Sequence, residues 1–236
     1  MMDDLTLLGF GPDGWAPLLL KGCLLTLAVS ATSMAIGTVL GVLLAWARLK
    51  GPRWLRRTAL VYGVVLRGVP ELLVILLLYF GLPSLILSLS ETFGWEAPGL
   101  PPPFLIGSVS VGLVSAAYQA EIFRGGVGAI PRGQFEAARA MGFGDLMCFH
   151  RIVLPQVTRI VLPALGNVWQ FNLKDSALIA VTGLSELMRT SLVAAGSTRH
   201  PFLFFGVAMA LYLVLTTLSS TAFHYGGRYS NRWDRG

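Results

Sequence analysis

A chain of 236 residues that is 54% apolar and only 13% charged has too few polar side chains to cover the surface of an ordinary soluble domain. This composition excludes a water-soluble enzyme or regulator and points to a membrane protein. The formal net charge of +6 does not indicate nucleic acid, because the basic residues fall in short clusters between apolar runs instead of along one helix face.

At the N-terminus stand Asp3 and Asp4, not the basic region of a secretory leader, and the first long apolar run, Gly22 to Ala47, carries no charge. It exceeds the ~20 residues needed to cross the hydrocarbon, so it is expected to stay in the bilayer and no cleavable signal is expected. Apolar length predicts five spans, near 20–46, 58–82, 103–127, 158–182 and 201–224. The second contains Arg67 and Glu71, the third ends with Glu121 and Arg124, and the fourth holds Lys174 and Asp175. Pro70 and Pro163 fall inside predicted helices and are expected to kink them. Between the second and third spans, Pro98 and the stretch Leu100 to Pro103 predict an extended segment. The sequence reads as one domain over 1–236, without internal repeats.

Loop charge then sets direction. The first connection holds Arg48, Lys50, Arg53, Arg56 and Arg57; the third holds Arg132, Arg139, Arg151 and Arg159; the tail holds Arg228, Arg232 and Arg235. The segment 82–102 has Glu91 and Glu96 and no basic residue, while Arg189 and Arg199 in the fourth connection are partly offset by Glu186. The positive-inside rule therefore predicts the N-terminus outside and the C-terminus inside, with the loop of about 130–157 in the cytoplasm.

In that loop, Ile130-Pro131-Arg132-Gly133-Gln134 is expected to end the third span and start a short helix, with Glu136 in its first turn where a carboxylate suits the dipole. Gly142 and Gly144 stop it, Ala137, Ala138 and Met141 give it a small apolar face, and Asp145 is expected to cap a second helix ending before Pro155. A helix of about two turns is marginal alone and needs a surface to rest on. Residues and spacing by themselves leave two surfaces open: a partner protein, or lipid headgroups beneath an amphipathic loop helix.

The spacing of Glu136-Ala137-Ala138, Gly142, Ile152, Leu154 and Pro155 resembles the EAA loop of bacterial ABC importers. Further segments extend the likeness over most of the chain: Arg67-Gly-Val-Pro-Glu71, Tyr79-Phe-Gly81, Ala120-Glu-Ile-Phe-Arg124, Ile130 to Gln134, and Leu173-Lys-Asp-Ser-Ala-Leu178. They resemble the polar amino acid permease family, nearest to subunits serving histidine, arginine and related opines. The resemblance implies an all-α type I ABC importer fold in the bacterial inner membrane. It also implies two permease subunits, identical or homologous, two separate ATPase subunits, and an extracytoplasmic amino acid-binding protein. The residues it assigns to ATPase coupling are Glu136, Ala137, Ala138, Gly142, Asp145, Ile152, Leu154 and Pro155. No cofactor is implied. Glu71, where many relatives carry an apolar residue, tilts the reading toward a basic amino acid.

Ionisable groups inside spans are costly, so Arg67, Glu71, Glu121, Lys174 and Asp175 are the candidates for a substrate path. Arg67 and Glu71, four apart on one predicted helix face, can instead form a structural ion pair, and Arg124 can satisfy Glu121. Lys174 and Asp175, being adjacent, point apart and need partners elsewhere. All three lysines, Lys21, Lys50 and Lys174, follow a leucine, so the chain has no Gly-Lys-Ser/Thr phosphate loop of its own. His150, His200 and His224 are scattered and suggest no metal site, no nucleophile constellation is present, and Cys23 and Cys148 read as inert buried thiols. An ion-coupled carrier or channel, or a membrane-embedded transferase, are the competing classes; neither needs the docking loop.

Overall fold

The computed structural model describes residues 4–12, 14–94, 96, 99 and 101–231, and among these every regular element is helical. After a turn of helix, α1 (Asp4–Leu7), the chain enters α2 (Ala16–Lys50), whose 35 residues are apolar on every side, as a lipid-embedded helix must be. Arg48 and Lys50 end it, favourably placed at the negative end of the helix dipole. A break at Gly51–Pro52 leads to α3 (Arg53–Gly68), an Arg-rich amphipathic helix. Then follow α4 (Glu71–Leu76), a π turn over Leu77–Gly81, and α5 (Leu82–Phe93), closed by Gly94 at φ 70°. The remaining helices are α6 (Pro103–Gly128), α7 (Arg132–Ala140), α8 (Asp145–Cys148), α9 (Leu154–Asp175), α10 (Leu187–Thr198) and α11 (Pro201–Asn231). A π turn over Phe149–Val153 joins α8 to α9, and a 3₁₀ segment, Ser176–Thr182, extends α9.

Five stretches are long and apolar enough to cross a bilayer: Ala16–Lys50, Glu71–Phe93, Pro103–Gly128, Asp145–Thr182 and Pro201–Phe223. The number agrees with the sequence expectation, but two boundaries do not. The expected span at 58–82 is two helices: Val69 and Pro70 are extended (φ −100°, ψ 136° and φ −55°, ψ 132°), so the crossing begins at Glu71. Proline disfavours a helical residue before it, and Pro70 therefore caps α4 where a kink was expected. The helix that holds the fourth apolar stretch begins at Asp145, ahead of the expected 158, because the π turn carries it through Pro155, which sits in the first turn of α9 and needs no amide partner there. Pro163 does lie inside α9. Pro98 and Leu100 lie outside the described residues, as do Arg232 and Arg235.

The centre of the fold is α6. Within the chain 67% of its apolar stretch is buried, against 6% for Glu71–Phe93. It packs along α2 through small residues: a Cβ on Gly37 would stand 2.5 Å from Gln119 Nε2, and one on Gly41 would stand 2.9 Å from Gln119 Cβ. Close backbone approach lets short polar side chains bond across the seam. Thr38 Oγ1 donates to Gln119 Oε1 (2.8 Å), and Ser33 Oγ donates to the Ser108 carbonyl (3.0 Å). Cys23 and Cys148 are both buried and unpaired with each other.

Glu186 fixes one end of this assembly. Fully buried, it accepts from the Met188 and Arg189 amides (2.8 and 2.6 Å), from Tyr212 Oη of α11 (3.1 Å) and from Thr26 Oγ1 of α2 (3.3 Å). It caps α10 and ties three helices together. Burial pushes its carboxyl above the ordinary 4.5, although those four donors pull the other way. The folded state then holds a proton that the unfolded state has released, so this group's contribution to stability falls as pH rises through the window above 4.5 and is flat beyond it. Two outcomes follow for thermal unfolding of the purified protein. Glu186→Ala, which strands buried donors, lowers stability by about 2–3 kcal/mol. The margin of the wild type over Glu186→Gln, which has no proton to release, narrows as pH rises.

Candidate functional site

The segment from Ile130 to Pro155 is a helical hairpin resting on its own chain through one apolar cluster. Ile130, Ala138, Cys148, Val153, Val157 and Val161 are buried in it, with Phe135, Phe143 and Ile152 packed against them. Gln156 Nε2 clips the two arms, donating to Gln134 Oε1 (2.5 Å) and to the Ile152 carbonyl (2.8 Å). The turn is a Schellman motif: the Phe143 amide donates to the Ala138 carbonyl and the Gly142 amide to the Arg139 carbonyl, both at 2.9 Å, with Gly142 at φ 76°. Gly142 has open space around its Cβ position, so its requirement is the left-handed backbone.

Of the residues assigned to coupling, Glu136, Ala137, Gly142, Asp145, Leu154 and Pro155 are exposed, while Ile152 is half-buried. Ala138 is not available: it is fully buried against its own chain. Glu136 falls in the second turn of α7, since the helix starts at Arg132, and Gly144 in extended conformation, not Asp145, occupies the cap position of α8. Beyond the sequence reading, the hairpin presents Met141 (65% exposed) and Leu146 (73% exposed), an apolar tip with nothing from this chain over it.

The ionisable candidates sort into two neighbouring groups along α6. Glu121 binds three arginines: Arg48 at the end of α2, Arg67 at the end of α3 (3.0 Å) and Arg124 one turn on (3.0 Å). Arg67 therefore turns to Glu121, not to Glu71, the ion-pair alternative that the sequence had left open; the extended Val69–Pro70 break removes the shared helix face that the pairing required. Glu71 and Asp175 form the second group, within electrostatic reach of each other and of Tyr118. Tyr118 stands three residues before Glu121, hence on the same side of α6, and its ring lies 6.1 Å from that of Phe171. Lys174 is exposed and Asp175 half-buried. Arg48 and Tyr118 escaped the sequence reading. Arg48 was counted as loop charge, and nothing in the sequence marks which tyrosine shares a wall with two carboxylates.

Five apolar spans, a hairpin with an uncovered apolar tip and paired charges set within the spans define a multi-pass membrane transport subunit. Residues 37–226 match the family model of binding-protein-dependent transport system inner membrane components, and the chain belongs to that family. Similar proteins include the octopine transport system permease protein OccQ of Rhizobium meliloti, 48% identical with 98% of each chain covered. The nopaline transport system permease protein NocQ of Agrobacterium fabrum is 43% identical (97% and 98% covered). The histidine/lysine/arginine/ornithine transport system permease protein HisQ of Escherichia coli is 34% identical (88% and 90% covered). Among solved structures, an amino acid ABC transporter crystallised with histidines superposes with TM-score 0.80 at 30% identity, covering 97% of this chain and 99% of that one. The fold is also that of the MetNI methionine ABC transporter in its inward-facing form, with TM-score 0.71 at 22% identity and 91% and 97% coverage. The chain is thus an inner-membrane permease subunit of an ABC-type importer.

The left-handed turn sets a test of the hairpin. Gly142→Val forces a β-branched residue into that backbone at a cost of about 1–2 kcal/mol, whereas Gly142→Asn tolerates it. In proteoliposomes carrying the complete importer, the Val variant loses most uptake and the Asn variant keeps most of it, with both present at normal levels in the membrane.

Proposed function

We propose that this permease domain, 1–236, carries a basic amino acid or an opine into the cell, driven by ATP hydrolysis on separate subunits. The observation that supports the substrate reading is two carboxylates within the spans, Glu71 at the start of α4 and Asp175 at the end of α9, drawn together where α4 packs against the 3₁₀ segment that follows Asp175, with Lys174 beside them. Two carboxylates in a medium of low dielectric repel, and a guanidinium or ammonium passing between them relieves that repulsion. The relatives named for octopine, nopaline and histidine/lysine/arginine/ornithine support the same substrate class. Arg67, held at Glu121, stands where it can meet the substrate's carboxylate. Lys174, exposed beside Asp175, completes the candidate path.

The machine proposed has two permeases, identical or homologous, two ATPases gripping the hairpins, and an extracytoplasmic binding protein delivering solute. Glu136, Ala137, Gly142, Asp145, Leu154 and Pro155 form the docking face, with Ala138 and Ile152 holding it from beneath. Nucleotide and loaded binding protein act by favouring one conformation of the spans over another. The clusters of arginine in the first and third connections support a cytoplasmic hairpin and C-terminus, with the N-terminus outside.

Two measurements test these readings. In a functional cysteine-free background, Cys at Glu96, exposed in the connection after the second span, reacts with an impermeant thiol reagent from outside, and Cys at Gly133 only after permeabilisation; the reverse pattern overturns the orientation. Glu71→Gln keeps shape and removes charge, so uptake of arginine falls by tenfold or more while assembly and the binding protein's own affinity stay unchanged; one charge–charge interaction of about 1.4 kcal/mol already corresponds to tenfold. Normal uptake by Glu71→Gln withdraws the substrate assignment.

A further inference from the structure

A cavity of about 800 Å³ opens between the last turns of α2, the end of α6 and the hairpin with the start of α9. Its walls are apolar: Val42, Trp46 and Leu49 on one side, Phe149, Leu154 and Val157 on the other. Val42, Trp46, Leu49, Phe149 and Leu154 are all 41–55% exposed, so the slot stands open to its surroundings. At the hairpin end it is bounded by Lys50 and Arg139, with Asp145 the acidic residue of the lining. From Val42 to Lys50 is eight residues of helix, about 12 Å of rise, so one end lies well inside a membrane span and the other at its edge.

That polarity selects the occupant. Val42 lies in the apolar span Ala16–Lys50, eight residues before its end, where hydrocarbon or another membrane-embedded chain is the natural neighbour. The two cations at the rim outnumber the single carboxylate, which complements a phosphate and opposes the identical rim of a second copy. A tryptophan at the level of the basic residues is the arrangement found where a side chain meets the headgroup layer. Basic pockets between membrane helices on the loop side are the general form of sites for anionic lipid headgroups. We propose that this groove holds an acyl chain of an anionic phospholipid, its phosphate against Lys50 and Arg139, as an integral part of the wall that supports the hairpin. The site shares no residue with the pair Glu71 and Asp175 and stands apart from the substrate reading; of the proposed docking face it includes Asp145 and Leu154, which line its hairpin wall.

The test uses the full chain purified with its partner subunits, exposed to equimolar phosphatidylglycerol and phosphatidylcholine of identical acyl chains, with retained lipid read by native mass spectrometry. Wild type retains phosphatidylglycerol over phosphatidylcholine by about fivefold or more, as about one favourable unit of headgroup charge pairing gives. Lys50→Glu, at an exposed helix end, loses that preference yet still retains lipid. Val42→Trp, which fills the slot from an exposed position, loses retained lipid of both kinds while its thermal unfolding stays unchanged. Equal retention of the two lipids by the wild type overturns the proposal, as does retention unmoved by both variants. A photo-reactive group at Trp46 that captures a second protein chain instead of lipid also overturns it.

Discussion

Everything else in this chain hangs on the close approach of α2 to α6. Gly37 and Gly41 leave no room for a Cβ beside Gln119, and the helices meet backbone to backbone over their middle turns. In a bilayer the apolar effect does not draw two greasy helices together, since lipid is as good a neighbour as leucine; small residues and short hydrogen bonds supply the association. Thr38, Ser33 and Gln119 supply those bonds across the seam, and each closes only because the glycines permit it.

From that seam the two ends of the molecule follow. On the hairpin side, α2 delivers Arg48 to Glu121 of α6, and α3 brings Arg67 to the same carboxylate, so one acidic residue gathers three elements. On the opposite side, Thr26 of α2 meets Glu186, and through it α10 and α11. A carboxylate thus sits at each end of the α2–α6 pair, each binding a piece of chain that the seam itself does not touch. The hairpin rests on the end of α6 through Ile130 and Val157, so the seam joins it to the Glu186 knot at the far end.

What the sequence made readable was whatever depends on local pattern. Five apolar lengths, the hairpin between the third and fourth spans and its turn at Gly142 were all predictable, because hydrophobic length and a glycine before a left-handed turn are properties of short segments. The expectation for 58–82 failed since apolar length cannot distinguish one helix from two in series, and the deciding signal was Pro70 acting on Val69. The Arg67–Glu71 pairing failed with it. Ala138 was assigned to a docking face from its motif position, but which side of a short helix faces inward depends on Cys148 and Val157, distant in sequence. Glu186 passed as one more loop charge, because glutamate is not among the residues favoured at a helix cap and nothing local marked it as one. Its contacts with Thr26 and Tyr212 are tertiary and carry no local mark.

The account turns on the exposed tip of the hairpin being the place where force enters. Met141 projects from that tip, uncovered by its own chain. A photo-crosslinking amino acid at Met141, in membranes containing the whole importer, measures this most directly. The account predicts a covalent adduct with the ATPase subunit whose yield changes when ATP is added. Adducts with lipid alone, or with the extracytoplasmic binding protein, would contradict it.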